Sequence, residues 1–174
     1  MENVVLVGFP GSGKTTIGQA VATILNLEFI DLDRAIEERY HATIPHIFEK
    51  YGEFVFRQCE NKVLQETLQK TNVLVATGGG APCFPNAMDH INEHSLSIYI
   101  KMTEEALCQR IKHSRKKRPL TDDLDDEKLI SYVHQTLEER KTFYEKAKMQ
   151  IDGEHVNAEK FAMLIARKTN TIIR

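Results

Sequence analysis

The stretch Val4-Val5-Leu6-Val7-Gly8-Phe9-Pro10-Gly11-Ser12-Gly13-Lys14-Thr15 decides the fold of this chain. Its four apolar residues predict a buried strand, and the eight that follow fit the phosphate-binding pattern G-x-x-x-x-G-K-S/T. Glycines let the backbone wrap around an anion, so that N–H groups and the next helix N-terminus point at phosphate oxygens. The alternative is a flexible loop that happens to contain a lysine. Because the strand before and the helical pattern after are both present, we favour a nucleoside triphosphate site.

The residues of this loop have separate predicted roles. Lys14 supplies a point charge for the β and γ phosphates, and Thr15 offers its hydroxyl to Mg²⁺. The predicted phosphate-binding set is Gly11, Ser12, Gly13, Lys14, Thr15 and Thr16.

Length and composition predict one globular domain over residues 1–174. A net charge of −2 argues against a general binder of nucleic acid or of anionic membranes. No apolar stretch approaches the roughly 20 residues that span a bilayer. The first strand begins at Val4, which leaves no room for a signal peptide, so we expect a cytoplasmic protein. Nothing resembles a long exposed apolar patch or a heptad seam, so we expect a monomer.

Short β-branched runs alternate with helical patterns along the chain, which predicts an α/β fold with a parallel sheet covered by helices on both faces. The five predicted strands are 4–7, 29–30, 73–76, 96–100 and 149–151. Four helices are predicted over 14–25, 53–69, 125–147 and 157–168. Three more are predicted to begin at Asp33, after an N-cap at Thr43 with Gly52 as a stop, and after an N-cap at Thr103.

The basic segment at 112–118 breaks this pattern, and it is followed by five acidic residues between 122 and 127. A solvated loop is the ordinary explanation of such a charge run. The phosphate loop upstream favours the other explanation, a mobile lid over about 112–126 that carries Arg118 onto nucleotide phosphates and excludes water.

Other residues narrow the class of nucleotide protein. The chain has no N-K-x-D guanine motif, and the third strand runs into Thr77 and three glycines rather than into an acidic pair for magnesium. Asp31 and Asp33 follow the second strand, at the edge where open α/β sheets bind ligands. We expect Asp31 to hold a magnesium-bound water and Asp33 to orient or deprotonate an acceptor hydroxyl. The alternative is that one of them only caps the helix beginning there.

Three further features allow two explanations each. Gly78-Gly79-Gly80 predicts close approach of backbone to a small ligand, or else a tight turn. Cys59, Cys83 and Cys108 form no C-x-x-C pair and indicate core or near-core thiols. His90 and His94 have the spacing of a metal pair, but with no third ligand apparent a solvated helix face is the more common arrangement.

Six motifs in one order resemble the shikimate kinase family along nearly the whole chain. They are Gly-Phe-Pro-Gly-Ser-Gly-Lys-Thr-Thr-Ile-Gly at 8–18, Asp-Leu-Asp at 31–33, Ile-Phe-x-x-x-Gly-Glu-x-x-Phe-Arg-x-x-Glu at 47–60, Gly-Gly-Gly at 78–80, Arg-Pro-Leu at 118–120 and Glu-Arg-x-x-x-Tyr at 139–144. Each alone is weak, but the set in this spacing is specific. The resemblance implies a P-loop α/β three-layer sandwich with a five-stranded parallel sheet and a mobile lid. It also implies MgATP-dependent phosphorylation of the 3-hydroxyl of shikimate, on the route to chorismate and aromatic amino acids.

The resemblance further implies roles for residues outside the phosphate loop. It places the shikimate-binding helical region at about 33–60. The residues implied to bind shikimate are Asp33, Arg57, Gly79 and Arg140, with Gly80 and Asp31 close by. Arg118 would reach from the lid to the ATP phosphates, and Arg110 would flank the adenine. Another small-acceptor kinase of the same fold, for gluconate or a nucleoside monophosphate, and a non-catalytic nucleotide-binding module remain the alternatives.

Overall fold

The computed structural model describes residues 2–114 and 124–170, and a parallel sheet forms the centre of this part. Its strands are β1 (Asn3–Val7), β2 (Glu28–Asp31), β3 (Val73–Ala76), β4 (Ser95–Lys101) and β5 (Met149–Asp152). The order across the sheet is β2-β3-β1-β4-β5, and every neighbouring pair is parallel. The predicted five-stranded parallel sheet is therefore confirmed.

Helices connect the strands and carry the predicted caps. They are α1 (Lys14–Leu25), α2 (Leu32–Tyr40), α3 (Ile44–Leu68), α4 (Ala87–His94), α5 (Glu104–Lys112), α6 (Asp126–Tyr144) and α7 (Ala158–Lys168), with a short 3₁₀ helix at Ala81–Cys83. Thr43 and Thr103 each accept a hydrogen bond from a backbone N–H in the first turn of α3 and α5. Such a cap stabilises a helix by about 1 kcal/mol.

Alternate residues of β1 face opposite layers of helices. Val4 and Leu6 pack in one apolar cluster with residues of α1 and α7, such as Val21 and Phe161. Val5 and Val7 belong to the other cluster, which is contributed mainly by α2, α3, α4, α5 and α6. Because both faces of the sheet are covered at its centre, β1 from Val4 onward and β3 are continuously apolar. The predicted three-layer sandwich is confirmed.

Local features of the helices refine the sequence predictions. The second helix begins at Leu32 rather than at Asp33, because the Asp31 side chain caps it. Gly52 ends the first helical part of α3, as predicted: it adopts the non-helical angles φ 79° and ψ 171°, and a second helical part, which corresponds to the predicted helix at 53–69, follows it. In α6, Ile130 is 53% exposed, whereas Leu129, Val133, Leu137 and Tyr144 are buried. The short helix α4 carries His90 and His94, in keeping with the helix face expected for this pair.

Arg118 and most of the predicted lid lie outside the described residues. The helices that flank it are joined, because Lys112 Nζ at the end of α5 lies 2.7 Å from Asp126 Oδ1 at the start of α6. Within the described part of the chain, Cys59 and Cys83 are half-buried and Cys108 is buried, all as free thiols. No helix among these residues has the length and apolar character needed to cross a bilayer.

Candidate active site

A cleft of about 1650 Å³ lies beside the carboxyl ends of β1, β2 and β3. It brings together most of the residues that the sequence selected, from both ends of the chain. Those that line it are Gly11, Gly13, Lys14, Thr15, Thr16, Asp31, Asp33, Arg57, Gly79, Gly80, Arg110 and Arg140. Ser12 is 2% exposed and lies within the loop.

The phosphate loop owes its path to glycine. Gly11 and Gly13 have φ angles of 90° and 93°, a region that side chains with a Cβ rarely adopt. Gly13 is also the N-cap of α1, so the loop leads directly into the helix N-terminus. The N-terminal N–H groups of α1 therefore open towards the cleft, as an anion site requires.

Lys14 is 6% exposed and is held by the loop to which it belongs. Its Nζ donates to the carbonyl oxygens of Gly8 and Phe9, both at 2.8 Å, and to Ser12 Oγ at 3.4 Å. Carbonyl dipoles thus fix an ammonium charge at the cleft wall before any nucleotide binds. An incoming phosphate would exchange these neutral acceptors for anionic ones.

Thr15 and Asp31 form a pair of hard oxygen groups beside the loop. Thr15 Oγ1 donates to Asp31 Oδ2 at 2.8 Å, and Asp31 Oδ1 accepts from the backbone N–H of Arg34 at 3.3 Å. Asp31 is therefore the aspartate that caps the helix, and it also faces the phosphate loop. Hydroxyl and carboxylate oxygens are the ligands that Mg²⁺ prefers, so this donor set suits the metal.

The second aspartate, Asp33, turns towards the glycine loop at 78–80. A Cβ on Gly78 would lie 2.9 Å from Asp33 Oδ1 and 2.7 Å from Glu60 Oε1, so both carboxylates lie close to the start of the glycine loop. Two neighbouring aspartates of the sequence thus point to opposite halves of the cleft.

Arg57, on α3, is fixed by two carboxylates and two rings. Its Nη1 lies 2.6 Å from Glu60 Oε2 and its Nη2 lies 3.1 Å from Glu53 Oε1. Its guanidinium carbon lies 5.1 Å from the centre of the Phe56 ring and 6.0 Å from that of Phe48. The guanidinium is therefore oriented before a ligand arrives, which lowers the entropy cost of binding an anion.

Glu60 is only 1% exposed, and no role of its own was predicted for it. Burial raises the pKa of Glu60; the charge of Arg57 opposes that rise and the charge of Asp33 adds to it. The sequence signal that could have indicated a role for Glu60 is its helical spacing, because Glu60 interrupts the buried stripe of Phe56, Val63, Leu64 and Thr67. An ionisable residue at a buried helical position calls for a charged partner, and here the partner is Arg57.

The three glycines make room for protein groups. A Cβ on Gly80 would lie 2.5 Å from both Nη atoms of Arg57, and one on Gly79 would lie 2.5 Å from Pro10 Cδ. The close approach predicted for this loop therefore involves at least Arg57 and the phosphate loop itself. It links the two sides of the cleft through one segment of backbone.

Tyr144 supports the same loop from α6. It is fully buried, and its hydroxyl donates to the Gly79 carbonyl oxygen at 2.6 Å. Burial raises the pKa of Tyr144, with the charge of Arg140 acting in the opposite direction, so the phenol keeps its proton. Arg140, one turn earlier on α6, lines the cleft. The resemblance included Tyr144 in a motif without assigning it a role.

Arg110 lies at the other end of the cleft. Its Nη1 donates to Ser12 O at 3.2 Å, and its Nη2 donates to Gly153 O at 3.3 Å. The side chain thus joins the phosphate loop to the segment after β5. This position agrees with the expected nucleotide side of the cleft.

Three comparisons relate the chain to known proteins. The sequence model described as "Shikimate kinase" matches residues 10–170. The shikimate kinase of Parabacteroides distasonis is 40% identical over 159 residues, which are 91% of this chain and 92% of that protein. Among solved structures, a shikimate kinase from Bacteroides thetaiotaomicron has a TM-score of 0.91 at 33% identity and covers 97% of this chain and 98% of its own. One from Acinetobacter baumannii, in complex with shikimate, has a TM-score of 0.86 at 34% identity and covers 98% and 93%.

Proposed function

This chain belongs to the shikimate kinase family and has that family's activity, and we propose that it transfers the γ-phosphoryl group of ATP to the 3-hydroxyl of shikimate. One observation carries the assignment of residues. Lys14 and Thr15 line one side of a cleft whose other side carries Asp33, Arg57 and Arg140. A phosphate donor and an anionic acceptor would therefore meet in one enclosed space.

Arginine chemistry supports shikimate as the acceptor. Shikimate carries one carboxylate and three hydroxyls, and a guanidinium binds a carboxylate through two parallel hydrogen bonds, which lysine does not. The Acinetobacter relative was solved with shikimate bound. In this chain we assign the carboxylate to Arg57 and Arg140 and the remaining acceptor contacts to Asp33, Gly79 and Gly80.

ATP occupies the other side of the cleft in this proposal. The N–H groups of Gly11, Ser12 and Gly13 and the side chains of Lys14, Thr15 and Thr16 contact the phosphates, and Arg110 flanks the nucleotide. Thr15 would hold Mg²⁺ directly and Asp31 through a water, because their oxygens lie together beside the loop. When bound, Mg²⁺ neutralises charge on the β and γ phosphates. Arg118, outside the described residues, is assigned to the same phosphates.

In the reaction, the 3-oxygen of shikimate forms a bond to the γ-phosphorus while the bond between that phosphorus and the oxygen of departing ADP breaks. The hydroxyl proton leaves the acceptor oxygen, and Asp33 is the carboxylate placed to orient or receive it. Because the transition state is loose, positioning and positive charge contribute more than a strong base. Lys14 and Arg118 supply that charge from this chain.

An acceptor panel tests the proposed function. Purified protein is mixed with MgATP and with shikimate, gluconate or a nucleoside monophosphate, and ADP release is followed. We expect turnover with shikimate and shikimate 3-phosphate as the product. Turnover only with another acceptor would contradict the acceptor assignment, and ATP binding without transfer to any acceptor would favour the non-catalytic module.

We further propose that the enzyme works as a monomer. All of the assigned residues that the structure describes come from one chain, so the cleft needs no contribution from a second copy. Light scattering at the assay concentration tests this. The cytoplasmic location stays a prediction from sequence.

A further inference from the structure

The helix α4 carries a group of side chains that phosphoryl transfer does not use. His90, Glu93 and His94 each place one potential metal ligand within 4.8 Å of the other two. The two imidazole rings lie with their centres 4.3 Å apart. The spacing His-x-x-Glu-His puts the histidines one turn apart on one face of the helix, with the glutamate beside them. Glu93 is therefore the third potential ligand, which the spacing of the two histidines alone did not reveal.

The hydrogen bond of His94 prepares it as a ligand. His94 Nδ1 lies 2.9 Å from the carbonyl oxygen of His90. Because a carbonyl oxygen only accepts, Nδ1 donates, and the neutral ring keeps its lone pair on Nε2. Metal-binding histidines are commonly oriented in this way, by a backbone carbonyl on the nitrogen that does not face the metal.

His90 gives an independent sign of a missing partner. Its Nε2 is buried, and among residues 2–114 and 124–170 it is the side-chain nitrogen or oxygen found buried with no hydrogen-bond partner. Buried polar atoms are nearly always paired, and an absent ion is one of the standard explanations for an exception. A metal bound to this histidine would remove the unpaired state, either directly or by turning the ring.

We propose that His90, Glu93 and His94 bind a divalent transition metal of the Zn²⁺ class. Ligands at about 2.0–2.1 Å in tetrahedral geometry are about 3.4 Å apart, so side-chain rotations that bring these groups closer by at most about 1.4 Å complete the set. Glu93 is exposed, so water has access to the fourth position. Two imidazoles with one carboxylate suit Zn²⁺, whereas Mg²⁺ and Ca²⁺ take oxygen ligands.

This site is separate from the catalytic cleft. None of the three residues is among the described residues that line the cleft. The helix that carries them follows the glycine loop through the short 3₁₀ helix and leads directly into β4. A bound metal would link side chains across one turn at the end of α4. We therefore expect metal binding to change the stability of the protein rather than its turnover.

Zn²⁺ titration of the protein, first treated with chelator and then freed of it, tests the proposal. Calorimetry should show one Zn²⁺ per chain, and the melting temperature should rise by about 5–10 °C at a metal concentration near a hundred times Kd. The double variant His90→Gln/His94→Gln should lose both effects, since glutamine favours helix but does not replace imidazole. The matched control His41→Asn/His134→Asn removes two histidines elsewhere and should keep them.

Single variants and spectra test the proposal independently if the double variant fails to fold. His94→Gln alone and Glu93→Gln alone should each lower the Zn²⁺ affinity at least about tenfold, a typical loss when one ligand is removed. Cu²⁺ used as a probe should show nitrogen coupling in its electron paramagnetic resonance spectrum, which disappears in the double variant. Zn²⁺ binding of unchanged stoichiometry and affinity in the double variant, or no binding by the unmodified chain, would overturn the proposal.

Discussion

The phosphate loop holds Lys14 with its own carbonyl oxygens, whereas the acceptor side holds Arg57 with the carboxylates of Glu53 and Glu60. Both arrangements use neighbours a few residues away in sequence, but the first depends on backbone and the second on side chains of the same helix. The acceptor side also depends on packing between distant segments, because Glu60 is buried and both Glu60 and Arg57 lie against the glycine loop. One half of the cleft is thus held by its own backbone, and the other is held by side chains that pack against a distant loop.

This difference predicts separate consequences for binding and catalysis. Damage to the donor half should reduce the rate of transfer and the affinity for nucleotide, and damage to the acceptor half should reduce the affinity for shikimate. The segment that joins the halves is the Gly78-Gly79-Gly80 loop, which contacts Pro10 on one side and Arg57 on the other.

The largest effect is expected for Lys14→Ala. Removing a preorganised positive charge from the phosphates should lower kcat by about 10²–10³-fold, with little change in the affinity for shikimate. Steady-state kinetics with a saturating acceptor measure it. Lys160→Ala, an exposed lysine on α7, is the matched control and should retain full activity. A rise in the KM for shikimate with unchanged kcat would show that Lys14 acts in the acceptor half of the cleft and not in the donor half.

The variant Arg57→Lys tests the acceptor half of the cleft separately from the donor half. The charge remains, but the planar fork and its stacking on Phe56 are lost, so the KM for shikimate should rise roughly ten- to a hundredfold. Arg140→Ala should act in the same direction. Arg39→Ala removes an exposed arginine paired with Glu66 and should change neither constant. An Arg57→Lys enzyme with normal KM for shikimate but weakened ATP binding would be incompatible with the assignment.

The ease of predicting each half from sequence follows from the same contrast. The phosphate loop, α1 and the five strands could be anticipated because their signals are contiguous: a glycine pattern and apolar runs. Asp31 and Asp33 were assigned to metal and acceptor by position, and the structure does point them to different sides.

The features that sequence missed depend on distant contacts. The environment of Glu60 is set by Arg57 and Asp33 together, and the Tyr144 hydroxyl meets a carbonyl 65 residues away. Such properties belong to the packed chain and have no compact sequence pattern.

A smaller effect is expected for Tyr144→Phe, which tests the link between the halves. Loss of the hydrogen bond to Gly79 O should lower the free energy of unfolding by about 1–2 kcal/mol. The KM for shikimate should rise by less than about fivefold, since the variant touches the acceptor loop only through its backbone. Urea unfolding and steady-state kinetics provide the two measurements. Tyr51→Phe, at a half-exposed tyrosine, is the control, and equal losses of stability in both variants would argue against the role of this bond.

The smallest expected effect is a pH dependence of the free energy of unfolding that arises from Glu60. Burial raises the pKa of Glu60 above its ordinary value of 4.5. A raised folded-state pKa supplies stability that is fully present below pH 4.5 and is lost as the pH rises through the raised value.

Glu60→Gln removes this titration while keeping a side chain of the same size. From pH 4.5 upward the stability of the variant relative to the unmodified chain should therefore increase, and the difference should level off above the folded-state pKa. Urea unfolding at a series of pH values measures it. A difference that is flat, or that favours the unmodified chain increasingly as pH rises, would mean that Arg57 rather than burial controls Glu60.

Calorimetric titration of two ligands into two variants is the most direct test of a cleft with separable halves. Shikimate and ADP are each titrated into Lys14→Ala and Arg57→Ala. We expect Lys14→Ala to weaken ADP binding at least about tenfold and shikimate binding less than about twofold, and Arg57→Ala to give the reverse. If each variant weakens the binding of both ligands to the same extent, the division between a donor site held by backbone and an acceptor site held by side chains is contradicted.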